Sequence, residues 1–142
     1  MSCVFCQILA NEAPASVVLE SGLVVAFLDI CPANAGHTLV VPRRHAESFT
    51  ELTPAEVAEV ALCGQRVAAA LKRSAVPCDG ITFSLADGAA AGQDVPHAHL
   101  HVIPRRISDG LGWRASGQRT QRGSLDVVAG QIRDALEPRD AG

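Results

Sequence analysis

The chain has 142 residues, 48% of them apolar and 19% charged, with a formal net charge of −3; that suits one domain over 1–142 with its own core and argues against disorder. The pI near 5.9 leaves no basic field for a nucleic-acid backbone. The longest apolar runs, such as 23–28, are too short to cross a bilayer, so neither nucleic acid nor membrane is an expected partner.

The opening segment, Met1-Ser2-Cys3-Val4-Phe5-Cys6, lacks the charged-then-apolar layout of a secretion signal. A cytoplasmic protein is therefore expected, its five cysteines reduced and read as core thiols or metal ligands before disulfides. Residues 4–10 suit a short turn of helix. Ser16 to Glu20 and Leu23 to Ile30 read as strands joined by a hairpin turn at Ser21-Gly22. Cys31 to Gly36 is a loop, and His37 to Val41 a strand ending at Pro42. Thr53 to Ala75 is the one long helix: Thr53 is its N-cap, Pro54 suits its first position and Glu56 closes a capping box. Val57, Val60, Gly64, Val67 and Leu71 form its buried stripe, with Gly64 allowing close approach to a sheet. Gly80 to Leu85 and Val95 to Pro104 are further strands, separated by a Gly/Ala-rich loop. Leu125 to Leu136 is a C-terminal helix capped by Ser124. The fold class is α+β, an antiparallel sheet of about five strands with one long central helix and a C-terminal helix. The pairs Arg43-Arg44 and Arg105-Arg106 offer local positive charge to a small anion.

Three of the five histidines alternate in His97-Ala98-His99-Leu100-His101. On a strand such residues share one face, while Ala98, Leu100 and Val102 share the other. The second face fits a core; three imidazoles in a row have no packing rationale. Imidazole attacks or moves protons near neutral pH, so one ring could attack phosphorus while its neighbours fix its tautomer and place donors on the oxygens. Alternating histidines on a strand also hold zinc, and chemistry alone does not choose between the two.

The stretch Gly92-Gln93-Asp94-Val95-Pro96-His97-Ala98-His99-Leu100-His101-Val102-Ile103-Pro104-Arg105 resembles the signature of the histidine triad (HIT) family. Two further blocks match: Ala26-Phe27-Leu28-Asp29-Ile30 with Gly36-His37-Thr38-Leu39-Val40-Val41-Pro42-Arg43-Arg44-His45, and the opening Cys3-Val4-Phe5-Cys6, similar to zinc-carrying bacterial members. The resemblance covers most of 3–114. It implies a nucleotide hydrolase or transferase acting at the α-phosphate of a purine nucleotide, of the nucleoside phosphoramidate or dinucleoside polyphosphate type. By position, His99 is the nucleophile that carries a covalent nucleotidyl intermediate, supported by His101, His37 and, as the remaining triad member, His97. Asp29 holds the ribose hydroxyls, Phe27, Leu28 and Ile30 wall the base, and Gln93, Asp94 and Val95 lie along the phosphate loop. The resemblance further implies a homodimer, with Trp113 in a C-terminal segment that approaches an active site. A carboxylate such as Asp29 can accept both protons of a ribose diol.

Cys3-x-x-Cys6 has a spacing suited to one tetrahedral ion. The zinc-carrying relatives complete the set at the positions of His45 and His97, which implies a structural zinc, one per chain, and moves His97 from the chemistry to the scaffold. Cys31, Cys63 and Cys78 lack paired spacing and read as core or loop residues, Cys63 as the most buried. Two positions depart from the family. Ala86 stands where relatives commonly carry an amide, and a lost donor costs roughly 2–4 kcal/mol of transition-state stabilisation. Asp94 stands where Ser or Thr is usual, and a carboxylate repels a phosphate unless it is compensated or points away. The expectation is weak or altered activity on ordinary nucleotides; the alternative is a nucleotide-binding or interaction module with lost catalysis. A metal-dependent hydrolase using the three histidines as ligands is a third.

Overall fold

The run Val24-Val25-Ala26-Phe27-Leu28 has no polar position. Its reason lies in the computed structural model, which describes residues 3–111 and 118–138. Strands β2 (Val24–Leu28) and β3 (Thr38–Pro42) are buried at every residue, because both sheet faces are covered. Five strands form one antiparallel sheet in the order β1-β2-β3-β5-β4, with β1 at Val17–Glu20, β4 at Gly80–Ser84 and β5 at Leu100–Arg105. Val24, Ala26, Leu28, Val40 and Val102 face the larger core, under helices α2 (Pro54–Arg73) and α3 (Arg122–Ala135). Val25, Phe27, Leu39 and Val41 face a smaller cluster with Phe5, from the six-residue helix α1 (Val4–Leu9). The site lies on this second face.

Helix α2 starts as its sequence demands. Thr53 accepts from the Glu56 N–H at 3.1 Å, and Glu56 accepts from the Thr53 N–H at 2.9 Å. Gly64 brings α2 onto the sheet: a Cβ there would stand 2.9 Å from Leu100 Cδ2.

Two expected boundaries differ by more than two residues. Helix α3 begins at Arg122, with Gln121 at its N-cap, so Ser124 lies inside the first turn and is not the cap. Tertiary anchors set this start: Arg122 donates to Ser16 Oγ at 2.8 Å, and Ser16 donates to Asp126 at 2.6 Å. The histidine strand begins at Leu100 and not Val95. Pro96 has no N–H to give a ladder, the His97 N–H turns back to Val95 O at 2.8 Å, and the Ala98 N–H goes to Ala46 O. His97 and His99 therefore precede the strand, and only His101 lies on it. The hairpin at Ser21-Gly22 forms as expected, with the Ser21 N–H on Val24 O at 2.8 Å. Among the described residues, no helix is long and apolar enough to cross a membrane.

Candidate active site

His37 opens β3 behind Gly36. The glycine serves the core: its φ is +95°, and a Cβ would meet Leu71 at 2.9 Å and Val76 at 3.0 Å. This conformation and this space both exclude a side chain, and they set His37 at zero exposure. The Asp29 N–H extends the β2–β3 ladder to His37 O at 2.9 Å, bringing the carboxylate beside the ring, 3.6 Å from Nε2. His101 faces the same side as Leu39, its partner in the β3–β5 register.

Hydrogen-bond partners fix the tautomers. A backbone N–H can only donate, so His37 Nδ1 accepts from Ala33 at 3.0 Å and its proton sits on Nε2. Nε2 lies 2.9 Å from His101 Nδ1 and donates to it. His101 must then carry its own proton on Nε2. A carbonyl can only accept, so His99 Nδ1 donates to His97 O at 2.7 Å and its Nε2 keeps a free lone pair. Burial, aided by the neighbouring histidines, lowers His37 to about 3 and His101 to about 4, so both rings are neutral at pH 7. Burial also raises the pKa of Asp29, and the Cys31 N–H on its carboxylate at 2.9 Å pulls it back.

His99 and His101 open onto a cavity of about 390 Å³, with Phe27, Leu28, Asp29, Ile30, Asp94 and Val95 on its wall. That volume is in the range of small-molecule sites. Asp94 points into the cavity, Oδ1 lying 3.8 Å from His99 Nε2. Gln93 stays off the wall. Its amide accepts from Gly88 N–H at 2.7 Å and donates to Glu47 O and Val95 O, holding the loop together. Trp113 lies outside the described residues.

Several wall residues carried no sequence expectation. Val4, Phe5 and Ile8 come from α1, and Cys31 follows Ile30. Phe5 packs edge-on against Phe27, His97 and His99 at centroid distances of 5.4, 5.8 and 5.1 Å; an aromatic residue between two cysteines was the available signal. The cations on the wall are Arg119 and Arg122. The arginine pairs singled out from the sequence are engaged elsewhere. Arg44 binds Glu56 at 2.8 Å, Arg43 donates to Ser21 O, Arg105 binds Asp109 at 2.8 Å, and Arg106 donates to Asn34.

His97 belongs to a second cluster. Its Nε2 donates to Pro42 O at 2.8 Å, leaving the Nδ1 lone pair toward Cys3 Sγ at 3.5 Å and Cys6 Sγ at 3.6 Å. His45 Nδ1 is 3.3 Å from Cys6 Sγ. All four ligand atoms lie within 4.8 Å of one another. Sulfur and nitrogen on one tetrahedral zinc stand about 3.6 Å apart, so the donor set fits that ion, and the Pro42 carbonyl orients the ring from behind. Asp29, His37 and His101 also converge, but the 2.9 Å between the two rings is a hydrogen bond, shorter than the about 3.4 Å edge between two nitrogens on one tetrahedral ion. Among the described residues, no metal-binding group gathers the three triad histidines: His97 falls in one group and His101 in the other.

The HIT domain family model matches residues 10–108. The chain belongs to the histidine triad family. A HIT-like protein of Mycobacterium tuberculosis is 42% identical over 142 residues, covering 99% of this chain and 97% of that protein. The crystal structure of a zinc-bound histidine triad protein from Mycobacterium smegmatis superimposes with a TM-score of 0.83 at 41% identity, covering 96% of this chain and 94% of that one. A histidine triad nucleotide-binding protein from Sulfolobus tokodaii gives 0.83 at 30% identity over 94% and 91%. An adenylylsulfatase of Arabidopsis thaliana is 33% identical over 130 residues, 92% of this chain and 65% of that protein. The HIT family includes nucleotide hydrolases and transferases, and the five-stranded α+β architecture here is that of its solved members.

Proposed function

We propose that the chain is a nucleotide hydrolase or transferase acting at the α-phosphate of a purine nucleotide, of the phosphoramidate or dinucleoside polyphosphate type, through a nucleotidyl intermediate on His99. The observation that carries this reading is the tautomer of His99. Its Nδ1–H is held by His97 O, so the free Nε2 lone pair faces the cavity. That lone pair forms the bond to phosphorus as the leaving group departs opposite. His101 Nε2–H donates to a phosphoryl oxygen in the neutral form that His37 maintains. Water then attacks phosphorus and releases His99. Asp29 receives the ribose hydroxyls, with Phe27, Leu28 and Ile30 beside the base, and Gln93 acts by shaping the loop that presents Asp94 and Val95. The nucleotide-binding Sulfolobus protein and the Arabidopsis adenylylsulfatase support this substrate class.

The same reading gives the chain one structural zinc on Cys3, Cys6, His45 and His97. Four protein ligands leave no open position for water, so the ion would supply no chemistry to the reaction and would tie α1 to the loop before β5. A homodimer joined along edge strand β4 is supported by half-exposed Phe83, which with Leu100, Ala61, Ala68 and Ala69 lines an apolar groove between β4 and α2. Sedimentation at micromolar concentration should give twice the chain mass of 14.8 kDa. The central test is mass spectrometry of protein quenched during turnover. A nucleotidyl adduct on His99 is expected; turnover without one would overturn the mechanism, and binding without turnover would favour the non-catalytic module.

A further inference from the structure

We propose that Asp94 sets the leaving-group preference of the site, favouring nucleotides whose α-phosphorus bears an amine nitrogen over those bearing a phosphate or sulfate anion. The proposal rests on the reading of His99 as nucleophile. The Asp94 side chain is 81% exposed and lines the same cavity as His99 and His101, with Oδ1 3.8 Å from His99 Nε2. Among the described residues, His99 is its one ion-pair partner, and no arginine or lysine lies within salt-bridge reach. Of the two wall cations, Arg122 is turned to Ser16, and Arg119 lines the same cavity without forming an ion pair with Asp94.

Phosphorus must come within about 3–3.5 Å of Nε2 to react. The carboxylate therefore stands a few ångströms from the reacting phosphorus, and its exposed side chain is free to turn toward the group that leaves opposite Nε2. Beside that phosphorus it opposes a departing anion and attracts a departing cation or N–H donor. The chemistry balances for a phosphoramidate protonated on its bridging nitrogen. The Nε2 lone pair forms the new N–P bond. The old P–N bond breaks with its pair on the substrate nitrogen, and the amine leaves neutral, with its proton already in place. Asp94 accepts an N–H from that cationic nitrogen and raises the population of the reactive form at the site. A phosphate or sulfate offers no such donor and leaves as an anion against the carboxylate. The carboxylate thus has a use: it trades breadth of substrate for selectivity.

The test compares kcat/KM of the unaltered chain, Asp94→Asn and Asp94→Ser on adenosine 5′-phosphoramidate, a diadenosine polyphosphate and adenylyl sulfate. Asp94→Asn keeps the shape and removes the charge. It should lower phosphoramidate turnover about ten-fold and raise the other two about ten-fold, moving the ratio by roughly a hundred-fold. Asp94→Ser should move it the same way. Turnover with an adduct on His99 but a ratio changed less than about three-fold would overturn the role of Asp94 alone. No turnover of any substrate and no adduct would overturn the nucleophile reading, and this proposal with it.

Discussion

Two sets of imidazoles leave one short stretch of chain and do different work. His97 hands its Nε2 proton to Pro42 O and turns Nδ1 to the thiols of Cys3 and Cys6. His99, two residues on, hands its Nδ1 proton to His97 O and turns Nε2 to the cavity. The side chains are identical, and in each case one backbone carbonyl selects which nitrogen keeps a lone pair. On the proposed function, the partner that fixes the tautomer, more than residue type, divides scaffold from chemistry.

Removing rings one at a time should sharpen this division. His99→Ala is expected to abolish turnover, by roughly 10⁴-fold or more, while a titration still shows nucleotide binding; turnover within ten-fold of the unaltered chain would end the claim that this ring attacks. His101→Ala takes one donor from the transition state and should cost about 10²–10³-fold in kcat, with KM much less affected. On the other side, Cys6→Ser should lower zinc content by elemental analysis and destabilise the fold by roughly 3 kcal/mol, a fall on the order of 10 °C in Tm. Its kcat should hold within about three-fold. A kcat collapse in that variant, with the fold intact, would break the separation of the two sets.

A separate effect is expected in pH. His37 and His101 lie at about 3 and about 4 in the folded chain, below the unfolded value near ~6.5. The unfolded state therefore binds protons first as pH falls. Stability from these rings is complete above ~6.5 and is lost as pH drops through that value toward 4 and then 3, at up to about 1.4 kcal/mol per pH unit for each. Urea midpoints at pH 7, 6 and 5 should fall in that order. His37→Gln should flatten the trend; a slope unchanged in that variant would show that the ring is not buried neutral.

Much of this was legible in the sequence because the signals were local. The capping box at Thr53 and Glu56, the close approach at Gly64 and the antiparallel strands follow from short-range patterns, and the structure repeats them. What escaped was decided by distant partners. Ser124 looks like a cap, but contacts from Arg122 and Asp126 to Ser16, more than 100 residues away, place the helix start. Arg44 looks free for an anion until Glu56 holds it; that pair, with the Thr53 N–H, lowers Glu56 to about 2. The alternation of histidines suggested three rings on one strand face. Pro96 and the bond from Ala98 to Ala46 end the ladder first, which is why the rings part. Val4 and Ile8 gave no sign of forming a cavity wall, because nothing local says where a six-residue helix will dock.

That short helix has a consequence for exchange kinetics. A single turn and a half has no standing of its own in water. Helix α1 keeps its place through Phe5 and its neighbours on the sheet, and through the cluster that Cys3 and Cys6 share with residues 39 to 94 positions away. Its amides should therefore trade protons for deuterons soon after a chelator is added, while those of β2 and β3, covered on both sides, wait for the whole chain to open. With α1 loosened, one wall of the cavity loosens too. On the proposed function, nucleotide and metal would then be linked ligands, and each should slow the escape of the other.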